Sequence, residues 1–316
     1  MDILTQLIAN EVGITPTQVN HTLELLNAGS TVPFISRYRK EATGGLDEVK
    51  IEAIQAHYQR LTELVKRREF ILQTIEEQGK LTPELKQRIT ETWDAAVLED
   101  LYLPYKPKRK TRAELARQRG LEPLAALLMA QREPNPERAA ARYIKGEVKD
   151  AEEALKGARD IIAEQVSENE QTRQQVRNAF ARQAVLTAKV VKGKEAEAAN
   201  YRDYFDCSES LKRCSSHRLL AMRRGEAEGV LRVSIAPDEE RCLEQLERHY
   251  VRGRGESSRQ VQEAVEDAYK RLLKPSMENE FATLSKQQAD DEAIRVVAQG
   301  LRQLRRAPPL GQLRVM

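Results

Sequence analysis

A chain of 316 residues has room for two or three packed units. Its 52 basic and 49 acidic residues leave a formal charge of +3, so any grip on a polyanion has to come from local clusters. No run approaches the roughly 18 apolar residues of a membrane span. The amphipathic start MDILTQLIANEVG has no basic region or cleavage site, and three cysteines fit a reducing cytoplasm better than a disulfide framework.

From the N-terminus, Ile3, Leu4, Leu7, Ile8 and Val12 share one helical face that Gly13 ends. Thr15, Pro16 and Gln18 then give a cap, a first-turn proline and a capping-box partner for a helix reaching Gly29. TVPFISRYRKE predicts a short third helix before the Thr-Gly-Gly break at 43–45. Two short helices and a basic third, joined by Gly-containing turns, make a helix-turn-helix-like start. Asp47 can cap a long helix to Gly79. Ile54, Tyr58, Leu61, Val65, Leu72 and Ile75 form its seam at alternating four- and three-residue steps, with Arg68 counted in the register.

Thr82 with Pro83 restarts helix, and Asp94 opens another that breaks at Pro104. Thr111 and Glu114 form a capping box closed downstream by Gly120, and Pro123 lies one place inside an apolar helix over 122–130. Asn135 and Pro136 start a helix to about 144. Asp150 with Glu153 caps a longer one, and Asn169 or Gln171 begins its successor. At 184 the period changes: AVLTAKVV and GVLRVSIA are β-branched runs bounded by Gly or Pro, which predict a small antiparallel pair. Helices resume over 238–251, 259–273 and 276–305 before the strand-like end LRVM. The expected fold class is all-α and multihelical, in several small lobes, with one minor antiparallel β element. The expected divisions are a helical region over 1–183, a mixed region over 184–310 and the start of something further at 311–316.

Three basic clusters are candidate nucleic-acid contacts. In YKPKRKT, Lys106, Lys108, Arg109, Lys110 and Arg112 lie on a proline-stiffened stretch, with Tyr102 and Tyr105 nearby. Either the cations meet phosphates and the tyrosines stack on bases, or the stretch is a solvated linker with its tyrosines in the core. In SRYRK, Phe34 and Tyr38 share one helical face and Arg37 and Lys40 another, with Arg39 between them; the plainer reading is an amphipathic helix with solvated charge. In SSHRLLAMRRGE, Ser216 can cap a helix carrying Arg218, Arg223 and Arg224, whose N-terminus could take an anion.

No metal or cofactor is expected. Cys207, Cys214, His217, Cys242 and His249 have no C-x₂₋₄-C pair among them. Phosphate-binding glycine loops are absent, and Asp203 with Asp206 is as well explained by capping or pairing with arginine. The chain is therefore not expected to be an enzyme.

Residues 31–48, 76–85, 98–124, YRDYFD at 201–206 and SSHRLLAMRRGEAEGVL at 215–231 together resemble the Tex family of bacterial transcription accessory proteins. The resemblance implies a mainly helical, cytoplasmic protein related to a eukaryotic transcription elongation factor. It also implies a ribonuclease-H-like domain starting at 311–316, followed by helix-hairpin-helix motifs and an oligonucleotide-binding barrel. On this reading the chain is the N-terminal region only: a monomeric scaffold and auxiliary, sequence-independent surface for RNA or DNA. The rival is a module docking within its own chain or onto the transcription machinery; a nuclease region with carboxylates past 316 is a third possibility.

Overall fold

The computed structural model describes residues 2–108 and 110–306. It contains two compact units, Met1–Lys106 and Pro107–Met316. Residues 311–316, where a further domain is expected to start, lie outside the described residues.

The first unit is helical: α1 (Ile3–Val12), α2 (Pro16–Asn27), α3 (Val32–Tyr38), α4 (Lys40–Thr43), α5 (Glu48–Glu77), α6 (Pro83–Glu91) and α7 (Ala95–Tyr102), then a 3₁₀ turn over Leu103–Tyr105. Side-chain caps set most of the starts. Thr15 makes a full capping box with Gln18, and Asp47, Thr82 and Asp94 each accept a first-turn N–H. The single third helix read from the sequence is two, because Arg39 leaves helical geometry at φ −126°.

Helix α5 organises this unit. Its first half packs on α1, α2 and α3, its second on α6 and α7. Ile54, Leu61 and Ile75 of the expected seam are buried, joined by Ile51, Leu64 and Ile71, while Tyr58, Val65 and Leu72 flank the buried strip. An α-helix turns every 3.6 residues, so a straight buried strip drifts off a strict heptad seam.

The second unit contains α8 (Arg112–Gln118), α9 (Glu122–Ala130), α10 (Pro136–Ala140), α11 (Ala151–Glu168), α12 (Glu170–Gln183), β1 (Val185–Val190), β2 (Asp206–Ser210), α13 (Ser216–Ala227), β3 (Leu231–Ala236), α14 (Glu239–Tyr250), α15 (Glu256–Asp267) and α16 (Lys274–Arg306). A π-helical turn over Ala268–Leu273 joins the last two. Helix α11 is central, packed on α8, α9, α10 and α15. It buries Leu155, Ile161, Ile162 and Val166 between small residues that let its neighbours come close.

The expected antiparallel pair is present as β1 and β3, in register from Val185↔Ala236 to Val190↔Leu231. A third strand, β2, pairs with the other edge of β1 and completes the order β2-β1-β3. Leu186, Ala188, Leu231, Val233 and Ile235 line the buried face. Glu278 accepts the Ile235 N–H at 2.9 Å and covers part of the outer edge of β3. The fold class is therefore all-α and multihelical with one minor antiparallel sheet. No helix among the described residues is long and apolar enough to cross a membrane.

Candidate nucleic-acid interface

The YKPKRKT segment straddles the division between the units. Lys106 ends the first, where it is exposed. In the second, Lys108 is mostly buried: its ammonium lies 2.7 Å from Glu164 and 2.5 Å from Glu168, both on α11. Arg109 lies outside the described residues. Lys110 and Arg112 are exposed. Thr111 accepts the Glu114 N–H at 3.0 Å to cap α8, and its hydroxyl donates to Glu164 at 3.1 Å.

Glu164 is the hub, since Arg117 also donates to it at 2.8 Å. Burial pushes its carboxyl up, but hydrogen bonds from Lys108 and Arg117 outweigh that and hold it below the ordinary value. For Glu168 the balance reverses: burial prevails over the Lys108 bond and raises it. Lys108 is thus committed to the fold as placed, whereas Lys110 and Arg112 face outward.

The tyrosines beside this segment take the core alternative. Tyr102 is 3 % exposed and sits edge-on to Phe70 at 6.4 Å, with the Arg67 guanidinium 5.2 Å from its ring centre. Tyr105 is half-buried against the same cluster.

On α13, Ser215 and not Ser216 occupies the cap position, and it makes no side-chain cap bond. Arg218 donates to Glu209 at 3.0 Å and lies over Tyr204. Arg223 pairs with Glu226 at 2.6 Å. Arg224 is exposed. Cys207 and Cys214 are half-buried and Cys242 is buried, all as free thiols. Burial, then the neighbouring Glu209, pushes the Cys214 thiol up to about 12. Among the described residues no group of three or more His, Cys, Asp or Glu could hold a metal ion.

The α3–α4 corner assembles differently. Ile35 is fully buried against the core of α1, α2 and α5, and Ser36 turns inward beside it. Phe34 and Tyr38 share a face, as their spacing predicts, but that face is outward: they are 40 % and 72 % exposed. Their ring centres are 5.5 Å apart with planes tilted by 40°. The Arg39 guanidinium lies 5.7 Å from the Phe34 ring centre. Arg37 is 3.7 Å from Glu48 and well exposed, and Lys40 opens α4 in solvent. The backbone beneath is fixed from α2, whose Gln18 and His21 side chains bond the carbonyls of Thr43 and Ala42 at 3.1 and 2.9 Å. Composition could have suggested an aromatic-cation cluster here; the outward turn of the rings depends on Ile35 taking the core position.

The chain has counterparts among known proteins. A family description, Tex-like protein N-terminal domain, matches residues 2–76, and a second, Tex central region-like, matches residues 131–297. The chain belongs to the Tex family. It is 39 % identical to the transcriptional accessory protein Tex of Neisseria gonorrhoeae over 316 residues, covering 98 % of this chain and 42 % of that protein. With protein tex of Bordetella pertussis the identity is 42 % over 330 residues, covering 99 % and 42 %. With human S1 RNA-binding domain-containing protein 1 it is 27 % over 326 residues, covering 97 % and 32 %. The chain thus spans about two fifths of the length of the bacterial relatives it matches.

These matches correct the expectation of an N-terminal region alone, because the central region is present as well. They correct the functional expectation in the same respect: the chain spans the N-terminal and central regions, not the N-terminal one only. Two of these relatives carry names that refer to transcription and to RNA binding rather than to a reaction.

Proposed function

We propose that the chain, as the joined N-terminal and central regions of a Tex-type transcription accessory protein, binds RNA or DNA through phosphates without reading sequence. The observation that carries this is the exposed cation cluster of Arg37, Arg39 and Lys40 on a backbone fixed from α2. The Glu48 contact to Arg37 is long and solvent-exposed, so exchanging it for a phosphate costs little. Lys106 in the first unit and Lys110, Arg112 and Arg224 in the second are exposed auxiliary contacts, and Arg109 keeps its place among them on sequence grounds. Lys108, Arg218 and Arg223 are occupied by carboxylates and serve the fold. The relatives' names, transcriptional accessory protein and S1 RNA-binding domain-containing protein, support the same direction. We expect a cytoplasmic monomer, with contact to the transcription machinery made alongside nucleic acid.

A fluorescence-anisotropy titration of the chain with a labelled single strand, repeated across salt concentrations, tests this. Replacing Arg37, Arg39 and Lys40 by Ser should weaken binding equally for unrelated sequences. It should flatten the slope of log affinity against log salt by about 2 units, at about 0.7 per lost contact. An unchanged affinity and slope would contradict the assignment.

A further inference from the structure

We propose that Phe34 and Tyr38 form a stacking platform for unpaired bases, so that the α3–α4 corner takes single-stranded nucleic acid in preference to duplex. This rests on the phosphate-binding reading above and adds the part of the ligand that the rings would recognise.

The placement of the rings is the starting point. Ile35 fills the core position of this short helix, and the two rings stay at the surface, Tyr38 largely open and Phe34 partly covered. They are not scattered surface residues. The i, i+4 spacing holds them 5.5 Å apart, and Arg39 lies against the Phe34 side of the pair. Tyr38, at 72 % exposed, offers an open face.

The surroundings select the occupant. Arg39 lies against the pair and Arg37 and Lys40 are exposed beside it in sequence, while Glu48 is already directed at Arg37 and Ser36. An apolar protein surface would meet a charged rim here, whereas a nucleotide brings a flat π-face for the rings and an anion for the cations. Helix α3 has only seven residues, and its inward side is used by Ile35 and Ser36. That leaves little with which to read a major groove, which calls for several side chains from one helix. In a duplex the bases are already stacked on each other, so rings of this kind gain most from a strand whose bases are free.

The test uses the intact chain and four dodecamer probes: an RNA strand, the matching DNA strand and an abasic strand, which carry the same number of phosphates, and the DNA duplex, which carries twice as many. The parent chain should bind both base-bearing strands more tightly than the abasic one and the duplex. Tyr38→Leu and Phe34→Leu should each weaken the base-bearing strands by roughly 5- to 150-fold, the range that one stacked base supplies. The same variants should leave the abasic strand unchanged, and Tyr38→Phe should behave as the parent. Because Tyr38 is largely exposed, the melting curves of its variants should match the parent, which separates lost binding from lost fold. Equal affinity for abasic and base-bearing strands, or ring variants indistinguishable from the parent, would overturn the stacking platform while leaving the phosphate reading intact. No binding of any strand by the parent would overturn both. A preference between the RNA and DNA strands identifies which single strand is taken.

Discussion

The Lys108 ammonium lies 2.7 Å from a carboxylate oxygen of Glu164, in a largely buried setting on α11. This pair turns the most basic segment of the chain partly inward and ties the entry of α8 to the centre of the second unit, because Thr111 and Arg117 bond the same carboxylate. Lys108 also reaches Glu168, so two carboxylates compete for one cation.

Glu164→Gln should therefore destabilise the second unit by about 2 kcal/mol at neutral pH. This is below the usual cost of breaking a buried pair, because Lys108 keeps Glu168. Glu164 titrates below its ordinary value when folded, so its stabilisation is present above that value and is lost as pH falls through the lowered one. The gap between parent and variant should close in acid. Glu168 titrates above its ordinary value, so its contribution is full below that value and is lost as pH rises through the raised one. Glu168→Gln should accordingly be neutral or slightly stabilising at pH 7. Urea midpoints read by circular dichroism from pH 3 to 8 check both signs.

Leu61 is 1 % exposed in the core that α5 shares with α1 and α2. Leu61→Ala should cost about 2 to 5 kcal/mol, whereas Leu72→Ala on the half-buried flank should cost less. The single tryptophan, Trp93, packs in the first unit, so its fluorescence during urea unfolding reports on that unit.

Gly225 lies inside α13, where glycine is a poor helix former, and the reason is its neighbour. A Cβ there would meet Leu231 of β3 at 2.7 Å and the Tyr201 ring at 3.2 Å. Gly225→Ala should lower stability by about 1 kcal/mol, overpacking outweighing the gain in helix propensity. Thermal melts of the two proteins decide it; a stabilised alanine variant would mean that Leu231 moves aside freely.

The helix starts were legible because their signals are local. Thr15, Asp47, Thr82, Asp94 and Asp150 each cap a helix within three residues of themselves. Strands β1 and β3 announced themselves by β-branched runs, whereas β2, Asp206–Ser210, is a short polar edge strand with no such pattern. The cap position of α13 falls on Ser215, one residue before Ser216, because two adjacent serines give the same local signal. The fates of the basic residues were not legible: Lys108 is held by carboxylates far along the chain, and nothing near Tyr102 distinguishes a core ring from a stacking one. The exposed rings were present in the sequence as a pair on one face, but the direction of that face is set by how α3 docks on α5.

The most direct test of nucleic-acid binding at the α3–α4 corner is photo-crosslinking. A single strand carrying 4-thiouridine would be irradiated with the intact chain, and the adducts mapped by mass spectrometry after Glu-C digestion. The account predicts adducts on Phe34 or Tyr38, suppressed by unlabelled single strand and by high salt. Efficient crosslinking confined to other peptides, with the segment from Val32 to Glu41 unmodified, would contradict it.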